Sequence, residues 1–221
     1  MADPGFVLIS VHIPKTAGTA FRDLLSRRFG DRLLTDYDDR PLSHAAPVRW
    51  LRAARGARQA KARLQGYEAV HGHFLAFKYR HVDAPMVTWL RDPVQRMVSR
   101  YQHYLRDVAE GRPLQAVRGL RPGLQLEEFV ELPRYHNTYA KYFVGVPRRR
   151  LAWVGFTEDM PGSLERLHRT LGIDLGQPLT ANRNPLRGDQ PYVLDAAVER
   201  RIRALNRADI ALWEWARDRF C

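Results

Sequence analysis

The sequence predicts an α/β fold, with a central, mostly parallel sheet covered by helices on both faces. Three observations predict it. Short apolar runs rich in β-branched residues recur at Val7–Val11, Glu68–Phe74, Met86–Leu90 and Leu151–Phe156. Segments with apolar residues three and four positions apart lie between and after those runs. Three of the runs end in basic residues, Lys15, His71 and His73, and Arg91, and the fourth ends at Thr157-Glu158-Asp159. Strands that alternate with helices form parallel sheets buried on both sides. In such sheets ligands bind beyond the carboxyl ends of the strands.

The 221 residues, 45% hydrophobic and 27% charged, suffice for one domain with a real core, so residues 1–221 are expected to form a single domain. The formal net charge is +12. That surplus suits either solvated arginine-rich helix faces or an anionic ligand. The one cysteine, Cys221, excludes an internal disulfide and a cysteine-based metal site. No run approaches the roughly 18–20 apolar residues of a membrane span. The first apolar run, Phe6–Val11, is too short for a signal peptide. A soluble, cytoplasmic protein is expected, with no membrane insertion.

Taken in order, Val7–Val11 reads as a buried strand. Phe21, Leu24, Leu25 and Phe29 then mark one face of a helix that stops at Gly30. Residues 31–47 read as loop, with the acidic run Asp36-Tyr37-Asp38-Asp39. Arg49–Arg63 reads as a basic helix. Glu68–Phe74 is the second strand and Met86–Leu90 the third. Asp92 and Pro93 supply an N-cap and a first-turn proline. The helix they open places Val94, Met97, Val98, Tyr101 and Leu105 on one face. Residues 110–124 are a loop or lid, and 126–130 and 135–143 read as helical. Leu151–Phe156 is the fourth strand, followed by a helix over 163–171 and a loop over 178–191. From Tyr192 a single long helix is expected, with Leu194, Val198, Ile202 and Leu205 inward.

The loop after the first strand reads His12-Ile13-Pro14-Lys15-Thr16-Ala17-Gly18-Thr19. A glycine at a helix start lets the backbone approach an anion, and the free N–H groups of the first turn face it. Lys15 adds a charge, and Thr16 and Thr19 add hydroxyls. A plain strand–turn–helix junction with an exposed lysine is the alternative. The nucleotide-triphosphate form of such a loop places its lysine directly after the last glycine. Here Lys15 comes three residues before the glycine. No apolar strand ends in an obvious metal-holding aspartate, since Asp92 is better used as a cap. The loop therefore suits a phosphate without a magnesium nucleotide, in a P-loop-like three-layer sandwich.

"VTWLRDPVQRMVSRYQHY", Val87–Tyr104, carries a second anion signal. Arg91 sits at a strand end, and Ser99 lies two helical turns on. A guanidinium and a hydroxyl so placed can grip one phosphate from two sides.

"HIPKTAGTAF" resembles the 5′-phosphosulfate loop of sulfotransferases, and "WLRDPVQRMVSRY" their 3′-phosphate motif. "WVGFTEDM" and "ADIALWEWARDRF" resemble later segments of the family. The nearest resemblance is to carbohydrate sulfotransferases that write "HIPKTAGT", the heparan sulfate 2-O-sulfotransferase type, which also carry His-Gly-His. The resemblance implies that Lys15, Thr16, Ala17, Gly18, Thr19 and Ala20 hold the 5′ side of 3′-phosphoadenosine 5′-phosphosulfate (PAPS). Ala20 stands where the family often has serine, so one hydroxyl is missing. Arg91 and Ser99 would hold the 3′-phosphate, with Arg183 as a further phosphate contact. His73 would be the catalytic base, His71 a second candidate, and Lys15 would bridge the leaving phosphate and the sulfo group. The product would be adenosine 3′,5′-bisphosphate (PAP), and no metal would be required. The acceptor would be a hydroxyl, on a glycan or a small metabolite; a tyrosine stays open. His71 is expected to face away from His73.

From the residues alone, His73 could equally be a strand-end histidine bonded to backbone. Trp89 reads as a packed strand residue. His136–Lys141 could face the acceptor or the adenine, and residues 31–66 and 106–136 are expected to shape the acceptor site. The competing functions are a basic nucleic-acid-binding protein and a small ATP-dependent kinase. The charge favours the first, but no zinc-finger or RNP-type motif supports it. The position of Lys15 argues against the second.

Overall fold

The computed structural model describes residues 8–114, 117–177 and 191–221. Five strands form one sheet: β1 (Leu8–Val11), β2 (Leu33–Thr35), β3 (Ala69–Gly72), β4 (Met86–Leu90) and β5 (Leu151–Phe156). Their order is β2-β3-β1-β4-β5, and every adjacent pair is parallel. The four strands read from apolar runs are present. β2 lies inside the segment expected to be loop. Its three residues are too few and too exposed on one side to show a period. Register makes it a strand: Leu33 pairs with Ala69 and Leu34 with Val70.

Alternate strand residues face two different cores, which makes three layers. On one face Leu8, Ala69, Val87, Trp89 and Trp153 pack under α1 (Gly18–Phe29) and α6 (Met160–Leu171). Trp89 is buried there, its ring centroid 5.2 Å from that of Trp153. On the other face Ile9, Val11, Val70, Met86 and Val154 pack against α2 (Ala46–Arg63), α5 (Thr138–Phe143) and α8 (Arg207–Phe220). Arg52, Arg55, Arg58 and Lys61 of α2 are turned outward or to the rim, so this basic stretch is mainly a solvated face.

A third apolar cluster joins α3 (Pro93–Ala109), α4 (Leu126–Val130) and α7 (Ala196–Leu205). In α3 Tyr104, rather than Leu105, turns inward; its hydroxyl donates to the Arg121 carbonyl at 2.8 Å, while Leu105 is exposed. The helix expected from Tyr192 onward is two helices with a corner at Asn206. There the buried Asn206 accepts from the Asn137 N–H at 3.0 Å, and Asn137 accepts from the Ala208 N–H at 3.0 Å. Asn137 itself is left-handed (φ 46°), which ends the helical run expected over 135–143 and starts α5 afresh. Among the described residues no helix is long and apolar enough to cross a membrane.

The order of strands fixes where a ligand can sit. The chain leaves β1 through α1 toward the β2 side, and leaves β4 through α3 toward the β5 side. The crevice between the carboxyl ends of β1 and β4 is thus the topological switch point. Lys15 follows β1 and Arg91 follows β4.

Candidate active site

The loop after β1 has an unusual backbone. Lys15 (φ 70°) and Ala17 (φ 60°) are both left-handed, though each carries a Cβ. Such residues cost on the order of 1–3 kcal/mol each and persist only where their surroundings hold them. One hold is the buried Thr16 hydroxyl, which donates to the Ile13 carbonyl at 2.9 Å. That bond turns Thr16 inward and corrects the expectation of a free hydroxyl; its main-chain N–H is what it can offer an anion. Ala17 is the N-cap of α1, no side chain caps the helix, and its first turn holds no acid. The N–H groups of Gly18, Thr19 and Ala20 stand at the positive end of this 12-residue helix. Thr19 is exposed and Ala20 half-buried.

Cations gather around the loop. Burial pushes the Lys15 pKa down to about 8; Arg106, Arg100 and Arg91 add repulsion, and Asp107 opposes them. His103 is lowered first by burial, then by Lys15 and Arg100, although its Nδ1 lies 2.9 Å from Asp107. Arg91 is nearly buried at 8% exposure. Tyr139 clamps its main chain, donating to the carbonyl at 2.6 Å and accepting from the N–H at 3.2 Å. Asp92 accepts from the Gln95 N–H at 2.9 Å and so caps α3, as its sequence predicts. Ser99 is half-buried on α3, next to Arg100. Crowded positive groups of this kind favour an anion among them.

Beside the loop three imidazoles meet. The His12 ring centroid lies 4.9 Å from His71 and 4.1 Å from His73. Both rings of His-Gly-His therefore lie against His12, His71 on the side of Phe21 and His73 on the side of Tyr142. The two differ in setting. His71 is a β3 residue under α1, 1% exposed, with Nδ1 2.8 Å from the Ser10 hydroxyl, and burial pushes its pKa down to about 3. It packs inside the sheet face and supports its neighbours. His73 lies just past the end of β3, half-buried. Its Nδ1 is 2.7 Å from the His12 carbonyl oxygen. A carbonyl only accepts, so Nδ1 carries the proton and Nε2 keeps its lone pair. No described residue bonds that Nε2. Burial lowers the His73 pKa, partly offset by the His12 carbonyl, so the ring is neutral at neutral pH.

Two glycines make this cluster possible. A Cβ on Gly18 would fall 1.9 Å from the His12 ring, and one on Gly72 would fall 1.8 Å from the Asp36 carbonyl oxygen. The main chain of Asp36 thus crosses directly over Gly72, and its N–H extends the sheet by donating to His71 at 2.9 Å. Asp36 is fully buried, 2.7 Å from the Lys78 ammonium and 2.7 Å from the Tyr79 hydroxyl; Arg63 holds Asp38 at 2.7 Å. The acidic run is therefore an anchor for Tyr37, whose ring meets His73 edge-on at 5.0 Å. Gly72→Ala is expected to destabilise the fold by about 1–3 kcal/mol, the usual range for overpacking. Urea denaturation checks this: the midpoint should fall with the slope unchanged.

Beyond His73 the basic surface continues. Tyr142 lies 6.5 Å from His73, ring to ring, and its hydroxyl is influenced by Arg49, Arg96 and Arg134. Arg134 in turn feels Arg100 and Arg49. Lys141, pushed down to about 8 by burial and then by Arg49, donates to the Pro133 and Arg134 carbonyls at 2.9 and 3.0 Å. In the His136–Lys141 stretch, His136 bonds the Val130 carbonyl at 2.7 Å and Asn137 builds the α5 corner, so these two are structural.

The structure brings Lys15, the loop and Arg91 together at the carboxyl end of the sheet, with His73 just past the end of the neighbouring β3. Arg183 lies outside the described residues, as do Asn182 and Asn184. Sequence reasoning missed His12, Tyr37, Arg100 and Arg106. Arg100, His103 and Arg106 at intervals of three on a helix already under suspicion were the readable signal.

No protein-family model matches the chain, and no curated protein is similar to it. Among solved structures, a sulfotransferase from Alicyclobacillus acidocaldarius is similar, at 16% sequence identity and a TM-score of 0.49, over 97% of this chain and 96% of that one.

Proposed function

We propose that the chain is a sulfotransferase that moves a sulfo group from PAPS to an acceptor hydroxyl, on a carbohydrate as first choice, with residues 1–221 acting as one domain. The observation that carries this reading is the meeting, at the β1/β4 switch point, of an uncapped strand–loop–helix cradle, an arginine cluster and a neutral histidine. Its Nδ1 proton is committed to a carbonyl and its Nε2 is open. The site residues fit the donor's two anionic ends. Lys15 and the N–H groups of residues 16–20 would hold the 5′ phosphosulfate end. Arg91 and Ser99 would hold the 3′-phosphate, with Arg100 and Arg106 adding positive charge. The donor supplies a good leaving group, so the chain must supply position, a base and positive charge on the leaving side.

The proposed sequence of events balances simply. His73 Nε2 takes the acceptor's hydroxyl proton as the oxygen attacks sulfur. The bond from sulfur to the 5′-phosphate oxygen breaks, and its electron pair stays with PAP. Lys15 and the loop N–H groups face the charge that grows on that phosphate, as in related in-line transfers. The acceptor approaches from the side of His73 bordered by Tyr142, with Arg134 and Arg49 beyond it. His71 supports the cluster from within the sheet face.

Incubation with PAPS and a panel of glycan, small phenol and tyrosyl-peptide acceptors tests the reading. Acceptor-dependent release of PAP, with a gain of one sulfo group on the acceptor by mass spectrometry, is the expected result. Failure to turn over PAPS with any acceptor, or transfer of phosphate from ATP instead, overturns it.

A further inference from the structure

His12 is the hub of the imidazole cluster, yet the proposed transfer gives it no work. Its carbonyl fixes His73, and its ring stacks on His71 and lies tilted against His73. Its own Nδ1 lies 2.9 Å from the Tyr37 hydroxyl oxygen. The nearby Arg22 guanidinium donates instead to Asp23, at 3.2 and 3.4 Å. A phenol donates a hydrogen bond more readily than it accepts one, and the acceptor within reach is His12 Nδ1. Tyr37 keeps that proton: burial pushes its pKa up to about 12. An imidazole whose Nδ1 accepts carries its own proton on Nε2.

The position of Nε2 gives this tautomer a purpose. The ring edge holding Nε2 fills the space a Cβ on Gly18 would need, 2.0 Å from that point. Gly18 is the first residue of α1, at the end whose N–H groups no side chain caps. No described residue accepts from Nε2. The ring also cannot become a cation: burial, with His73, His71 and Arg22 nearby, holds its pKa far below the ordinary histidine range. A donor that stays neutral adds a hydrogen bond at the cradle without adding to the repulsion around Lys15.

We propose that His12 is a neutral Nε2–H donor to the anion held in the loop, and that Tyr37 is the positioning residue that fixes this tautomer. The inference rests on the reading of the loop as an anion cradle. Two neighbouring rings then carry opposite tautomers for opposite tasks. His73 presents a lone pair to the acceptor, and His12 presents a proton to the transferring or leaving group. The anchors already described hold Tyr37 to this duty: Asp36 with Lys78 and Tyr79, and Asp38 with Arg63. This explains why an acidic run expected to be loop is tied down by the buried Asp36–Lys78 pair and the exposed Asp38–Arg63 pair.

Long-range proton–nitrogen NMR on the full chain with labelled histidine reads both tautomers directly, without any substrate; His12→Gln and His73→Gln assign the signals. His12 should carry its proton on Nε2 and His73 on Nδ1, both rings neutral at pH 7. Adding PAP should shift the His12 Nε2–H signal. Tyr37→Phe removes only the hydroxyl; it should leave the fold intact, release the His12 tautomer, and lower kcat by roughly ten- to a hundredfold with little change in KM for PAPS. A wild-type His12 protonated on Nδ1, an Nε2–H signal indifferent to PAP, or a Tyr37→Phe protein with unchanged tautomer and kcat overturns the inference. Absence of turnover with PAPS instead sinks the sulfotransfer reading, and the tautomers and their response to PAP still decide this one.

Discussion

His73→Ala is expected to lower kcat by roughly 10²–10⁴-fold, the range a positioned general base supplies, and to leave PAP affinity within about twofold of wild type by that same division of roles. The expectation follows from one bond. The His12 carbonyl, 2.7 Å from His73 Nδ1, dictates that Nε2 is the basic nitrogen. Burial lowers the pKa of the ring, so the base is ready at neutral pH. The sign is that of a group that must be deprotonated to work. Wild-type kcat/KM should therefore fall on the acid side, with a midpoint below the ordinary histidine value of about 6.5. The limb should vanish in His73→Ala. Steady-state kinetics from pH 5 to 9, with PAP affinity measured in parallel, would show it. Wild-type turnover in the variant removes His73 from the base role.

Lys15→Ala should weaken PAP binding by roughly ten- to a hundredfold, as expected for one lost charge-assisted contact, and should lower kcat as well. Lys15 has a free-state pKa of about 8, within reach of ordinary buffers. Burial depresses it first, then Arg106, Arg100 and Arg91, while Asp107 opposes. A bound anion would raise that pKa, so binding takes up a proton above pH 8. Wild-type affinity should be flat below about pH 7 and fall by up to about tenfold per pH unit above 8. Lys15→Ala should lose this alkaline fall. Calorimetric titration with PAP across pH 6.5–9.5 checks both statements. An alkaline fall that survives the substitution assigns the proton to another group.

What the sequence made legible follows its physics. Buried parallel strands are written as continuous apolar runs, so β1, β3, β4 and β5 could be read. β2 could not, because Leu33–Thr35 is stabilised by its register with β3 and not by a pattern of its own. The Asp92-Pro93 helix start was visible because a cap is a local bond. The corner at Asn206 was not, since the partner that makes it, Asn137, lies 69 residues away in the chain. The same distinction governs the site. Lys15, Gly18, Arg91 and His73 stand at strand ends and could be proposed from position. His12 and Tyr37 are joined across 25 residues by one hydrogen bond, and only the fold shows them together. Thr16 offers the converse case: its hydroxyl looked available and is spent on Ile13 within the loop.

The measurement that tests the central claim most directly is PAP binding without divalent metal, set against ATP with magnesium and a short oligonucleotide. Thermal denaturation reads all three. A ligand at about a hundred times its Kd adds roughly 2.7 kcal/mol to stability. PAP is predicted to raise the melting temperature by several degrees in the presence of EDTA, with ATP–magnesium and the oligonucleotide giving much smaller shifts. Stabilisation by ATP–magnesium or by the oligonucleotide, with none from PAP, would contradict the account.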